Sequence, residues 1–116
     1  MVKLFGRREA DDDNPAYGYG PGRRPLWTER DRDAEEIRKV LRKGGRKEFG
    51  SRDGGFAVEG TSAGDGEPFL VACTGGRDQA AELATYTELL TAAGWRVEAD
   101  PDDRLSIQVW PARAAR

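Results

Sequence analysis

Between residues 38 and 47 the chain reads Arg-Lys-Val-Leu-Arg-Lys-Gly-Gly-Arg-Lys, six cations with no acidic residue among them. Such a run suits phosphate backbones or acidic surfaces, because clustered cations release the counterions of a polyanion on contact. At helical spacing Arg38, Arg42 and Arg46 fall near one side, with Lys39 and Lys43 beside them and Lys47 following. Tyr17, Tyr19, Arg23 and Arg24, further upstream, would add stacking and phosphate contacts. The plainer reading is a solvated, charge-laced helix face, with Glu35 and Glu36 available to pair with Lys39.

A second candidate is Cys73-Thr74-Gly75-Gly76-Arg77-Asp78, at the junction of an expected strand and helix. Glycines ahead of a helix N-terminus turn backbone N–H groups toward an anion, and Arg77 adds charge, so Thr74, Gly75, Gly76 and Arg77 form a candidate anion site. The spacing matches neither G-x-G-x-x-G nor G-x-x-x-x-G-K-[ST]. The plainer reading makes the glycines a tight turn and Cys73 a small buried hydrophobe.

Catalysis has little to draw on. Histidine is absent and Cys73 is the sole cysteine, so a disulfide within the chain and a Cys-based zinc cage are excluded. Asp100, Asp102 and Asp103 lack the offsets of a calcium loop and read as turn chemistry. We expect no enzyme, no cofactor and no metal. Trp110, by strand parity, points away from Leu105, Ile107 and Val109, and is a candidate anchor for a partner or a side chain packed under the first helix or the arm.

The elements that position these groups follow from periodicity. Residues 1–27, rich in Gly, Pro and Asp with no helix or strand period, read as a flexible N-terminal arm. Residues 28–111 read as one domain, and 112–116 as a frayed tail. Thr28 caps a helix over about 29–43, with acids early and bases late. Strands follow at 56–60 and 69–73. A second helix, about 78–93, starts at Asp78 and stops at Gly94. Strands at 95–99 and 105–110 finish the domain. The order α-β-β-α-β-β predicts an α+β two-layer sandwich, its four-stranded, mainly antiparallel sheet covered on one face by the second helix.

The cadence from Phe69 to Pro111, Phe-Leu-Val-Ala-Cys, a helix ending Ala-Ala-Gly-Trp, Arg-Val-Glu and Leu-Ser-Ile-Gln-Val-Trp-Pro, resembles half of a ferredoxin-like unit. That arrangement occurs in peptidoglycan-binding SPOR domains and in some ribonuclease-inhibitor proteins. The likeness is one of supersecondary pattern and carries over no functional residue.

Charge is uneven along the 116 residues, about +3 over 1–54 and −5 over 55–116. The longest apolar run, Phe69 to Cys73, is too short to span a bilayer. The opening residues lack a signal-peptide core, so a cytoplasmic location and no membrane partner are expected. Arg outnumbers Lys fifteen to four, the bias of a high-GC coding sequence. The preferred expectation is a non-catalytic interaction or regulatory module, binding another protein or itself. The alternatives are a nucleic-acid-associated protein using 38–47 and the arm, and a small-ligand site at 74–78.

Overall fold

The computed structural model describes residues 14–50 and 54–112. A short hairpin, β1 (Tyr19–Gly20) and β2 (Arg24–Pro25), precedes helix α1 (Glu29–Lys43). Strands β3 (Gly55–Glu59) and β4 (Phe69–Thr74), helix α2 (Gln79–Ala92), and strands β5 (Arg96–Ala99) and β6 (Ser106–Trp110) complete the order.

Both long helices begin and end where their sequences direct. The Thr28 hydroxyl accepts from the Asp31 amide at 3.0 Å, while the Asp31 carboxylate accepts from the Thr28 and Trp27 amides. This reciprocal box satisfies donors that the first turn leaves open. At the other end the Arg46 amide donates to Leu41 O at 2.9 Å, around Gly45 at φ +86°. Helix α2 repeats the scheme: Asp78 accepts from the Ala81 amide, and beyond Gly94 (φ +97°) the Trp95 amide donates to Leu90 O. Glycine occupies these stops because a Cβ disfavours the left-handed region.

The four-stranded sheet has the order β3-β4-β6-β5 and every neighbouring pair is antiparallel. Strands β4 and β5 therefore run parallel to each other with β6 between them, and α2 carries the chain across. Register places Phe56 opposite Cys73, Val71 opposite Ile107 and Val97 opposite Val109. These side chains join Ile37 and Leu41 of α1 and Leu83, Tyr86 and Leu90 of α2 in one core. Both helices thus cover the same face. The Phe56 and Tyr86 rings meet edge-on, 6.1 Å apart. The α+β two-layer architecture expected from periodicity is the one observed.

The other face carries Ala57, Leu70 and Ala72, half-buried and outside the core. Strand β4 is apolar on both parities, yet only Phe69, Val71 and Cys73 are buried. It is covered on one side and lightly screened on the other. The edge of β3 is partly closed by the connector: Phe49 N donates to Phe56 O, and Phe56 N to Lys47 O.

Of the expected arm, residues 1–13 lie outside the described residues. Residues 14–27 fold back on themselves. The Tyr17 amide donates to Leu26 O and the Leu26 amide to Gly18 O, both at 2.9 Å, and Leu26 is buried. The Gly and Pro residues that hide any periodicity are turn-formers here. Gly18 (φ +80°) and Gly22 (φ +73°) take left-handed positions, and Pro21 opens the turn of Pro21–Arg23. Of the expected tail, Ala112 is exposed and 113–116 lie outside the described residues.

A Cβ at Gly54 would sit 1.9 Å from the Thr74 carbonyl oxygen, so the entry to β3 tolerates only hydrogen there. Gly54→Ala is expected to lower unfolding free energy by about 1–3 kcal/mol in urea titration, the range for overpacking. Gly50→Ala, with open space around it, should change it by less than about 0.5 kcal/mol.

Candidate functional site

The basic run does not form a free cationic stripe. Arg38 is buried, donating through Nη1 to Glu35 Oε1 at 3.0 Å, with Nε 3.7 Å from Glu48 Oε2. Arg42 reaches both carboxylates, Glu35 Oε2 through Nη2 and Glu48 Oε1 through Nη1. Arg24, from β2, donates to Glu35 at 3.3 Å and to Glu48 at 2.9 Å. Three guanidiniums from hairpin and helix thus surround two carboxylates from helix and connector. Arg46 pairs with Glu82 of α2 at 2.9 Å, and Lys39 with Glu36 at 3.5 Å. Lys43 and Lys47 are exposed.

Burial alone would raise the pKa of Glu35; hydrogen bonds and charge from Arg42 and Arg38 outweigh it and hold the carboxyl below its ordinary value. Burial, then the adjacent Arg24 cation, lower the Arg38 pKa, while Glu35 and Glu48 support it. An arginine remains charged in either case. Glu35, Arg38 and Arg42 share one helix face at spacings of three and four, a signal present in the sequence. Glu48 and Arg24 join them only through tertiary folding, and nothing local marks them as partners.

The arrangement fixes the hairpin, and the hairpin presents aromatic rings. Tyr17, Tyr19 and Trp27 are 41%, 42% and 47% exposed. The Arg32 guanidinium lies 5.2 Å from the Tyr17 ring centroid and Arg23 lies 4.8 Å from that of Tyr19. A shallow pocket of about 240 Å³ lies against Tyr17, Tyr19, Leu26, Lys39 and Arg42. Of the candidate residues, Tyr17, Tyr19, Lys39 and Arg42 are therefore brought together. Arg24 and Arg38 form the ionic support beside them, and Lys43, Arg46 and Lys47 do not line this pocket.

The β4–α2 junction opens into a separate pocket of about 210 Å³, lined by Gly75, Gly76, Arg77, Cys73 and Tyr86 among others. Thr74 is not part of it, because its hydroxyl donates to Gly55 O at 2.9 Å and ties β4 to β3. Cys73 is buried, and its thiol approaches Gly75 O at 3.8 Å. Burial, with help from Glu82, pushes the Cys73 pKa up against the lowering effect of Tyr86, so the thiol stays protonated near neutrality. An uncharged, buried thiol is a poor nucleophile.

Trp110 is half-buried. Its indole N–H donates to Gly66 O at 3.2 Å, and Arg96 lies 4.0 Å from the ring centroid. These contacts anchor it to the β3–β4 loop and to β5. The aspartates after β5 make turn hydrogen bonds, Asp100 accepting from Asp102 N and Asp103 from Leu105 N and the Ser106 hydroxyl. Among the described residues no group of three or more His, Cys, Asp or Glu side chains is placed to hold a metal ion. Nor is any helix among them long and apolar enough to cross a membrane. No protein-family model, curated protein or solved structure matches the chain.

Removing the Glu35 charge leaves buried Arg38 with weaker compensation. Glu35→Gln should cost about 3 kcal/mol of unfolding free energy, the lower bound for breaking a buried pair, read by urea titration. Because folding lowers the Glu35 pKa, the pair's contribution is complete above the ordinary carboxyl value of 4.5 and is lost as pH falls through the lowered one. The stability gap between wild type and Glu35→Gln should therefore narrow on acidification below about pH 4.5.

Proposed function

We propose that this protein is a non-catalytic interaction module that binds another protein through the aromatic surface of its N-terminal hairpin. The observation that carries the reading is the exposure of Tyr17, Tyr19 and Trp27 on a segment tied by ion pairs to α1 and to the connector that follows it. Tyrosine, tryptophan and arginine dominate the energetics of protein interfaces, because a large ring buries area while losing little rotamer entropy. A pre-ordered hairpin loses less freedom on binding than a mobile arm would. The neutral Cys73 thiol and the absence of histidine support a binding role over a catalytic one.

Electrostatics favour a protein partner over nucleic acid. Arg24, Arg38, Arg42 and Arg46 each hold a carboxylate of the chain, and net charge is −2. A polyanion would have to compete with Glu35, Glu48 and Glu82 for these cations. A module of this kind has no need of a membrane and would work in the cytoplasm.

The test is affinity capture from the native cell with wild type, the triple variant Tyr17→Ala, Tyr19→Ala, Trp27→Ala, and Leu70→Ser on the open sheet face. A protein held by wild type and Leu70→Ser but lost from the triple variant is the expected outcome. Each single aromatic change should weaken that complex by about 1–2 kcal/mol in calorimetry. The same protein held equally by the triple variant would refute the reading. Capture of RNA or DNA instead, weakening steeply with salt, would replace it with nucleic-acid binding.

A further inference from the structure

We infer that β5, at the open edge of the sheet, pairs antiparallel with β5 of a second copy of this chain about a two-fold axis, so that one sheet runs through both molecules. This edge is separate from the aromatic surface of the hairpin.

The backbone shows which groups are free. At the far edge of the sheet β3 already meets the connector through Lys47 and Phe49. Beside β5, the Asp100 amide donates to Ser106 O, and across β6 the Cys73 amide donates to Leu105 O. Hydrogen bonding alternates along an antiparallel pair, so in the observed register Arg96 and Glu98 bond to Trp110 and Gln108. The N–H and C=O groups of Val97 and Ala99 then point away from β6, where no described residue pairs with them. Arg96, Glu98 and Ala99 are exposed and Val97 is half-buried. A row of unpaired backbone groups on a regular edge is a template for another strand.

The side chains select the occupant and the register. Val97 packs against the core, so Arg96 and Glu98 share the other face, opposite in sign. Arg96 Nη2 lies 2.9 Å from Glu98 Oε2, and the guanidinium rests over the Trp110 ring. When Val97 sits opposite Val97 of the second copy, Arg96 of each molecule faces Glu98 of the other, in the closer, non-hydrogen-bonded kind of pair. A slide of two residues sets Glu98 against Glu98, or Arg96 against Arg96, and like charges directly opposite are unfavourable. In the favoured register the two Val97 residues exchange both backbone bonds, and each Ala99 amide reaches the Trp95 carbonyl of the other copy. The Trp95 amide is held by Leu90 O, which ends the ladder there.

The helix layer leaves the approach clear. Helix α1 packs over β3, and α2 over β4, β6 and β5. On the side of α2 turned toward α1, Glu82 pairs with Arg46 and Leu89 lies against Gly44. The side turned toward the β5 edge carries Ala80, Ala84, Thr87 and Thr91 at helical spacing, all small and uncharged. Neither bulk nor charge there opposes the α2 helix of a second copy.

The experiment measures the mass of the full chain by sedimentation equilibrium over a range of concentrations, with amide exchange in parallel. Wild type should form a dimer, and the Val97 and Ala99 amides should gain protection as concentration rises. Glu98→Arg and Arg96→Glu change exposed side chains. Each should weaken the dimer about tenfold, because it replaces two attractive cross-strand pairs with two repulsive ones. An equimolar mixture of the two variants should restore dimer formation, since each then meets the opposite charge on the other molecule. Ion pairing confined to one chain would gain nothing from mixing. Wild type that stays monomeric throughout, single variants that dimerise as well as wild type, or a mixture no tighter than its components would each overturn the proposal. So would a dimer in which Val97 exchange does not change with concentration.

Discussion

Glu35 sits where three parts of the chain meet. Its carboxylate takes Arg38 and Arg42 from its own helix and Arg24 from the hairpin, and Glu48 of the connector closes the set. A buried carboxylate is costly to desolvate and persists only when well compensated. Here the compensation comes from segments distant in sequence, so the charge network and the tertiary arrangement require each other. Removing the hairpin would take Arg24 from both glutamates. Removing Glu35 would leave Arg38 with only the longer contact to Glu48.

This constraint decides how the surface can be used. A run of six cations looks like an electrostatic footprint, but four arginines of the cluster and its margins are turned inward or sideways onto glutamates. What remains outward near the hairpin is aromatic, with Arg23 and Arg32 flanking tyrosine rings. The molecule therefore offers a compact core, a fixed aromatic ledge beside one helix, and a small pocket of mixed charge at the other helix's N-terminus. The open sheet face with Ala57, Leu70 and Ala72 is a milder apolar surface of small residues.

The parts legible from sequence are those governed by local rules. Thr28, Asp78, Gly45 and Gly94 mark helix ends because caps and stops depend on a few adjacent residues. The alternation Leu105, Ile107, Val109 gives β6 its buried face in the same way. The hairpin escaped because its two-residue strands have no period to detect, and its Gly and Pro residues serve turns as well as disorder. The roles of Glu48 and Arg24 depend on contacts spanning 24 residues of chain, beyond the reach of spacing arguments.

Native-state hydrogen exchange reads the central claim most directly, since the Tyr17 and Leu26 amides donate across the hairpin while the Leu41 region reports the core. If Glu35 ties the hairpin down, both hairpin amides are protected in wild type and lose that protection in Glu35→Gln under conditions where α1 keeps its own. Hairpin amides that exchange freely in wild type, or that stay equally protected in Glu35→Gln, would contradict the account.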